Sequence, residues 1–142
     1  YKISLSFETK FVDTQIVCRS VQITQVLQNL IHNAVDVLEN CEEKWIKIGL
    51  QINNDSVIEI SVSDSGPGIP EAIRNKIFDT LFTTKTNGKG TGLGLSISKR
   101  FIEEHYGYLK LDSSSLNTKF VIGLPLKRAM LEKNQSARVR VS

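Results

Sequence analysis

Three polar side chains, Asn29, Asn33 and Asp36, recur at helical spacing in the first long segment with an apolar period. Spacings of four and three residues place all three on one side of a helix, beside its apolar stripe. Amide oxygens are suitable ligands for a hard cation such as Mg²⁺, which takes few protein ligands and keeps several waters. Taken alone, the cluster is explained more simply as the polar face of an amphipathic helix. Asparagine is a poor helix former, however, and two in successive turns favour a functional role.

A second cluster, DSGPGI at residues 64–69, directly follows a predicted strand. Its glycines, Gly66 and Gly68, would let a flat ligand approach the backbone closely. The Asp64 carboxylate could accept a hydrogen bond from an exocyclic amine. Asp, Gly and Pro are also the usual residues of a simple strand-to-helix turn, and this segment alone does not exclude that interpretation.

A glycine-rich segment, GKGTGLGL at residues 88–95, enters a predicted helix. Free amides at a helix N-terminus and a loop without side-chain bulk together form a phosphate cradle, and Lys85 and Lys89 add positive charge. The spacing fits neither the P-loop nor the dinucleotide-binding fingerprint. A flexible linker is the alternative, but a linker rarely leads straight into so regular a helix. Upstream, Phe78 and Phe82 either anchor the base of this loop or pack in the core.

The composition is that of one globular domain with a modest positive charge. Of the 142 residues, 40% are apolar and 23% charged, and the net charge is +3,. No block of Lys and Arg with interleaved aromatics indicates nucleic-acid binding, and no apolar run is long enough to predict direct membrane insertion. Cys18 and Cys41 have no partner motif, which predicts free thiols. The absence of an initiator Met suggests a piece of a longer protein.

The elements that must position these clusters follow from the hydrophobic periods. Alternation predicts strands at residues 2–8, 45–52 and 57–62, with a turn at residues 53–55,. β-Branched and mostly apolar residues predict a further strand at residues 14–18, and two closing strands are expected at residues 108–112 and 118–124. A helical period predicts a long helix from Gln22 with an apolar face of Val26, Leu27, Leu30, Ile31, Ala34, Val35 and Leu38,. A shorter helix should run from Pro70 to about Phe78. Residues 80–92 show no period and are predicted to form a mobile loop before a second long helix.

This mixture predicts an α/β two-layer sandwich, in which one mixed, mostly antiparallel sheet is covered by helices on one face. The other face of the sheet would be wet or docked on a neighbour. We expect a single domain over residues 1–126 and a polar C-terminal tail over residues 127–142, because the tail shows no core pattern.

Read in order, the clusters resemble the N, G1, F and G2 boxes of histidine-kinase catalytic domains. The matching segments are QVLQNLIHNA (25–34), DSGPG (64–68), FDTLFTTK (78–85) and GTGLGL (90–95), with FVIGLP (120–125) closing the pattern. Any one box is a weak signal, but four in the correct order and spacing are highly specific. The acidic Asp36, where many of these kinases carry lysine or asparagine, resembles the nitrogen-regulatory type of sensor kinase. Tyr106 and Gly107 replace a usual glycine pair, which would alter only a helix exit.

The resemblance implies the Bergerat ATP-binding fold of the GHKL superfamily, with ATP and Mg²⁺ as ligands. It implies that Asn33 coordinates Mg²⁺ with Asn29 nearby, and that Asp64 binds the adenine amino group. Thr118 matches a strand threonine that supports adenine through water, and Lys85 is assigned to the phosphates. The other binding positions carried over are Gly66, Gly68, Ile69, Phe82, Lys89, Gly90, Thr91, Gly92, Leu93 and Gly94.

The resemblance also implies a reaction, the transfer of the γ-phosphoryl group of ATP to a protein histidine. The hydrolytic relatives carry a glutamate as general base at the position of Asn29, and an amide cannot take that role. We expect neither His32 nor His105 to be the nucleophile, because His32 is followed by an amide and His105 ends a helix. The nucleophile would then lie on a separate dimerisation domain, so that this piece is expected to be monomeric.

The partners implied are that dimerisation and histidine-phosphotransfer domain and, downstream, the receiver domain of a response regulator in a two-component system. The localisation implied is cytoplasmic, including the cytoplasmic part of a membrane-anchored kinase. Two other functions stay open. One is a serine kinase of the anti-sigma type, and the other is a non-catalytic nucleotide-sensing module.

Overall fold

A computed structural model describes residues 2–9, 14–85, 88 and 90–126 of the chain. The strands are β1 (Ser4–Thr9), β2 (Trp45–Ile52), β3 (Val57–Asp64), β4 (Tyr108–Leu111) and β5 (Lys119–Pro125). The helices are α1 (Ser20–Leu38) and α2 (Gly94–Glu104), with a single 3₁₀ turn at Glu71–Ile73. Neither helix of the described part is long and apolar enough to cross a membrane. The predicted tail, residues 127–142, lies outside the described residues.

The five strands form one sheet in the order β1-β2-β3-β5-β4. The β1–β2 pair is parallel and the other three pairs are antiparallel. The short β2–β3 connection is closed by the side chain of Asn53, whose Oδ1 accepts from the amides of Asp55 and Val57. The prediction of a mixed, mostly antiparallel sheet is therefore confirmed.

Helices α1 and α2 cover one face of this sheet, as the sequence predicts for a two-layer sandwich. The buried face of α1 has the spacing of an amphipathic helix and comprises Ile23, Val26, Leu30, Ala34 and Leu38,. It packs on alternate residues of the central strands, which include Ile46, Val62, Ile122 and Leu124. The prediction that Val35 belongs to this face is wrong, since Val35 lies outside the buried residues of α1 and is exposed.

Two predicted elements are corrected. Residues 14–18 form no strand but run directly into α1, and their apolar character serves the core, which Ile16 and Cys18 contact. The segment from Pro70 to Phe78 is not an α-helix. Its hydrogen bonds span three residues, as from the Ile73 amide to the Pro70 carbonyl, so it forms a 3₁₀ turn and further tight turns,.

Candidate functional site

A cleft of about 470 Å³ lies between α1, the turn segment after β3 and the N-terminus of α2. Core residues of the sheet, among them Val62 and Phe120, contribute to its lining, together with polar side chains of α1 and of the segment before α2. All four sequence clusters contribute residues to this lining.

Asp64 is the buried charge of the cleft. It is the last residue of β3 and only 4% of its surface is exposed. Burial raises the pKa of the Asp64 carboxyl above its usual range, while hydrogen bonds from the Gly66 amide and the Thr118 side chain act in the opposite direction,. The Gly66 bond to Asp64 Oδ1 is 2.8 Å long. A partly satisfied, buried carboxylate of this kind is suited to accept a further hydrogen bond from a ligand.

Two glycines at the cleft have backbones that other residues could not adopt without strain. Gly68 has a φ of +80°, and a Cβ there would lie 2.9 Å from the carbonyl oxygen of Leu116. Gly92 has a φ of +67°, and a Cβ there would lie 2.4 Å from the carbonyl carbon of Leu81. The Leu81 amide donates to the Gly92 carbonyl over 2.8 Å, which joins the glycine-rich segment to the chain that precedes it. This segment therefore needs glycine for its shape.

Asn29 joins the two helices at the cleft. Its Nδ2 donates to the Gly94 carbonyl over 3.3 Å and to Ser98 Oγ over 3.1 Å. Both bonds use the amide nitrogen, so the oxygen is the atom that can accept from a ligand. The arrangement sets the distance between α1 and the N-terminus of α2, whose free amides face outward from the first turn.

Asn33 and Asp36 contact the side-chain ammonium of Lys85 at the other end of the cleft. The ammonium of Lys85 donates to Asn33 Oδ1 over 3.1 Å and forms a short ion pair with the Asp36 carboxylate. Asn33 Oδ1 thus already contacts a positive charge, which a hard oxygen ligand for Mg²⁺ must also be able to do. This donor set fits a hard cation.

The structure brings most of the predicted site residues to this one cleft. Its lining includes Asn29, Asn33, Asp64, Gly68, Ile69, Phe82, Lys85, Gly90, Thr91, Gly92, Gly94 and Thr118. Gly66 and Leu93 do not line it. The Gly66 amide supports Asp64, and Leu93 is the N-cap residue directly before α2. Lys89 lies outside the described residues.

Sequence reasoning missed three residues that hold the site in shape. Ser98 is fully buried and bonds to Asn29. Thr83 Oγ1 accepts from the Lys85 amide, and Asn117 Nδ2 donates to the Gly66 carbonyl. Only Ser98 carries a signal, because a small polar residue between Leu95 and Ile102 interrupts the apolar stripe of α2 and needs a buried partner.

The two histidines of the described part of the chain have different environments. His105 is buried, its Nδ1 contacts the Phe101 carbonyl at 2.6 Å, and its Nε2 accepts from the Arg19 amide at 2.9 Å. This fits the prediction of a satisfied histidine. His32 is exposed on α1 at the rim of the cleft.

Comparison with known proteins gives the same class. Residues 18–128 match the family described as histidine kinase-, DNA gyrase B-, and HSP90-like ATPase. An NtrY-like sensor histidine kinase of Rickettsia bellii is 38% identical over 109 residues, which are 77% of this chain and 17% of that protein. The sensory histidine kinase/phosphatase NtrB of Azospirillum brasilense is 32% identical over 74% of this chain and 29% of its own length.

A nucleotide-free structure of the catalytic domain of histidine kinase ThkA is 37% identical, with a TM-score of 0.75, and the match covers 87% of this chain and 80% of that one. The chain belongs to the family of histidine kinase-, DNA gyrase B- and HSP90-like ATPases, and it is homologous to the catalytic domains of sensor histidine kinases. It spans about a fifth to a third of the length of these two curated relatives.

Proposed function

We propose that this domain binds Mg-ATP in the cleft and transfers the γ-phosphoryl group to a histidine on a dimerisation domain of the same kinase. The observation that carries the proposal is the pairing of two unlike ends in one cleft. The buried Asp64 carboxylate lies at one end. The amide oxygen of Asn33, in contact with the Lys85 ammonium, lies at the other. Adenine needs an acceptor for its amino group, and a polyphosphate needs positive charge.

The adenine would be held by the chain's own groups at the end of β3. The Asp64 carboxylate would accept from its amino group, Thr118 would support the contact from β5, and the backbone at Gly68 would lie against the ring. The positive φ of Gly68 supports this role, because the chain turns there without a side chain that would obstruct a flat ligand,.

The phosphates would lie between α1 and the N-terminus of α2. Asn33 would hold Mg²⁺, with Asn29 near it, and bound Mg²⁺ would supply charge neutralisation on the phosphates. Lys85 would add a further positive charge, and the amides of residues 90–94 would donate to phosphate oxygens. Lys89, Thr91 and Leu93 remain predicted contacts of this segment.

The chemistry of Asn29 favours transfer over hydrolysis. Its amide is fixed by the Gly94 carbonyl and Ser98 and has no basic atom that could activate water,. Phosphoryl transfer requires chiefly positioning and charge neutralisation, and these are what the described residues of the cleft can provide. The receiver domain of a response regulator would take the phosphoryl group in the next step of the relay.

The test is calorimetric titration of a non-hydrolysable ATP analogue with and without Mg²⁺. Wild type should bind in a magnesium-dependent manner. Asn33→Ala should lose that dependence and weaken binding roughly 10- to 100-fold. Asp64→Asn should weaken binding of adenosine and of the analogue by about 10-fold or more, since a charge-assisted hydrogen bond is lost.

Two matched controls carry the same chemical changes outside the cleft. Asn40 follows α1 and Asp55 lies in the β2–β3 turn, and both are exposed. Asn40→Ala and Asp55→Asn should therefore bind as wild type does. Absence of binding by the wild-type domain would refute the proposal. Wild-type affinity of the Asn33→Ala and Asp64→Asn variants would refute it as well.

A further inference from the structure

Lys85 and Asp36 form an ion pair at the phosphate end of the cleft, and the resemblance leaves the role of Asp36 unassigned. The Lys85 ammonium contacts the Asp36 carboxylate and, at 3.1 Å, Asn33 Oδ1. The two acceptors are three residues apart on α1, so they share one side of the helix,. One ammonium therefore bridges a charged and a neutral acceptor that face the same cleft.

The backbone of Lys85 and the aliphatic part of its side chain are held in place as well as its ammonium. The Lys85 amide donates to Thr83 Oγ1 over 3.1 Å. A Cβ on Gly90 would lie 3.0 Å from both Cβ and Cδ of Lys85, so the Gly90 backbone passes directly against the lysine side chain. The ammonium is thus placed from both sides, by the segment before α2 and by α1.

The ion pair has little value as a stability element. The side chains of Asp36 and Lys85 are 53% and 33% exposed, and exposed ion pairs contribute little to the stability of a fold,. Its location is what distinguishes it, because Asn33 Oδ1 is the oxygen that the proposed function assigns to Mg²⁺. In the structure, that oxygen accepts a hydrogen bond from the Lys85 ammonium, a cation that the protein itself supplies.

Asn33 cannot hold both cations at once. Mg²⁺ binds oxygen at about 2.0–2.1 Å. An ammonium left at hydrogen-bond distance from the same oxygen would lie close to a divalent charge and be strongly repelled. Lys85 must therefore leave Asn33 when the metal arrives. Asp36, one helical turn away, still retains it.

We propose that Asp36 is a positioning residue that keeps the Lys85 ammonium at the phosphate end of the cleft while Asn33 exchanges Lys85 for Mg²⁺. This inference rests on the proposed function. In this role the Asp36 carboxylate acts through Lys85, which contacts the γ-phosphate. The contact makes the free energy of binding more favourable for a triphosphate only. ADP, which lacks that group, gains nothing from it.

The opposite role for Asp36 has the opposite sign. A carboxylate that merely lies near the phosphates repels them, and its removal tightens binding of ATP. A positioning carboxylate weakens the preference for ATP when it is removed. The quantity that separates the two is the ratio of the dissociation constants of ADP and of a non-hydrolysable ATP analogue, both measured with Mg²⁺.

Calorimetry on wild type and on the variants Asp36→Asn, Asp36→Glu, Lys85→Met and the Asp36→Asn, Lys85→Met double variant measures this ratio. We expect Asp36→Asn to lower it roughly 3- to 10-fold, with Asp36→Glu restoring most of the loss. In the Lys85→Met background, Asp36→Asn should lower the ratio no further. Glu39→Gln removes an exposed carboxylate next to the end of α1 and outside the cleft lining, and it should leave the ratio unchanged.

A ratio that rises or stays constant in Asp36→Asn, while wild type binds Mg-ATP normally, overturns the positioning role and leaves the proposed function standing. An equal loss from Asp36→Asn with and without Lys85 also overturns it, because the carboxylate would then act independently of the lysine. Failure of wild type to bind nucleotide overturns both inferences.

Discussion

At the scale of single residues, burial of the Asp64 carboxyl has a cost in folding stability, and the proposed function accounts for it. Burial raises the pKa of its carboxyl, so the ionised form is less favourable in the folded chain than in the unfolded one,. The folded state then binds more protons in the window between the two pKa values, and stability falls as pH rises through it. The cost is present at neutral pH and disappears in acid.

Asp64→Asn should remove this cost while keeping an acceptor for the Gly66 amide. We expect its unfolding free energy at pH 7 to equal or exceed that of wild type, and the difference to shrink as pH falls toward 4. Urea denaturation at several pH values measures both. Asp55→Asn, in the exposed β2–β3 turn, supplies the comparison for the loss of a carboxylate as such. A variant markedly less stable than wild type at pH 7 would show that the Gly66 and Thr118 bonds outweigh burial.

At the scale of elements, the exit of α2 is strained at one position. Tyr106 has a φ of +60° in a left-handed cap, in which the Tyr106 amide bonds to the Glu103 carbonyl and the Gly107 amide to the Ile102 carbonyl. Glycine is the usual residue at the first of these positions because it has no Cβ. The sequence analysis placed the departure from the usual glycine pair at a helix exit, and Tyr106 does follow the end of α2.

Tyr106→Gly should therefore stabilise the domain by about 1 kcal/mol, since the left-handed conformation no longer carries a steric cost. Tyr106 is 52% exposed, so little buried contact is lost. The midpoint of urea unfolding measures the gain. Tyr106→Ala retains a Cβ and should show no such gain. If both variants lose stability equally, packing of the tyrosine ring outweighs the backbone strain.

At the scale of the whole molecule, the prediction that the phosphoacceptor lies on another domain concerns the two histidines of this chain. Both ring nitrogens of His105 are engaged in the core, and His32 lies at the rim on the same helix as Asn33. Under the proposed function, the cleft would present the phosphoryl group to a nucleophile that another domain carries.

With labelled ATP, the isolated domain should incorporate little phosphate, and the label should transfer to the dimerisation domain of the same kinase when it is added. The modified residue should be a histidine, recognised by its acid-labile and alkali-stable phosphate. His32→Gln is the control and should leave transfer unchanged. Label on His32 itself would contradict the prediction. Phosphoserine on the partner would indicate the anti-sigma type, and nucleotide binding without transfer a sensing module.

Much of this architecture is readable from local patterns. The β2–β3 hairpin follows from strict alternation on either side of residues 53–55, and α1 from apolar residues at three- and four-residue steps. The site clusters also stand out, because glycines, paired asparagines and an aspartate after a strand are rare in combination. Two predictions failed, the strand at residues 14–18 and the helix after Pro70. In both places a local sequence signal is present, but the partners that would complete a strand or a helix are lacking.

The sequence by itself determined the five strands, the two long helices, the one-sided helical layer and the candidate residues of the cleft, because hydrophobic period and turn chemistry are properties of neighbouring residues. Only the tertiary structure decided that Asn29 joins α1 to α2, that Ser98 is its partner, and that Lys85 meets Asp36 and Asn33. These contacts join positions about 50 to 70 residues apart. Such pairings depend on how the helices dock on the sheet, and no local pattern encodes that geometry.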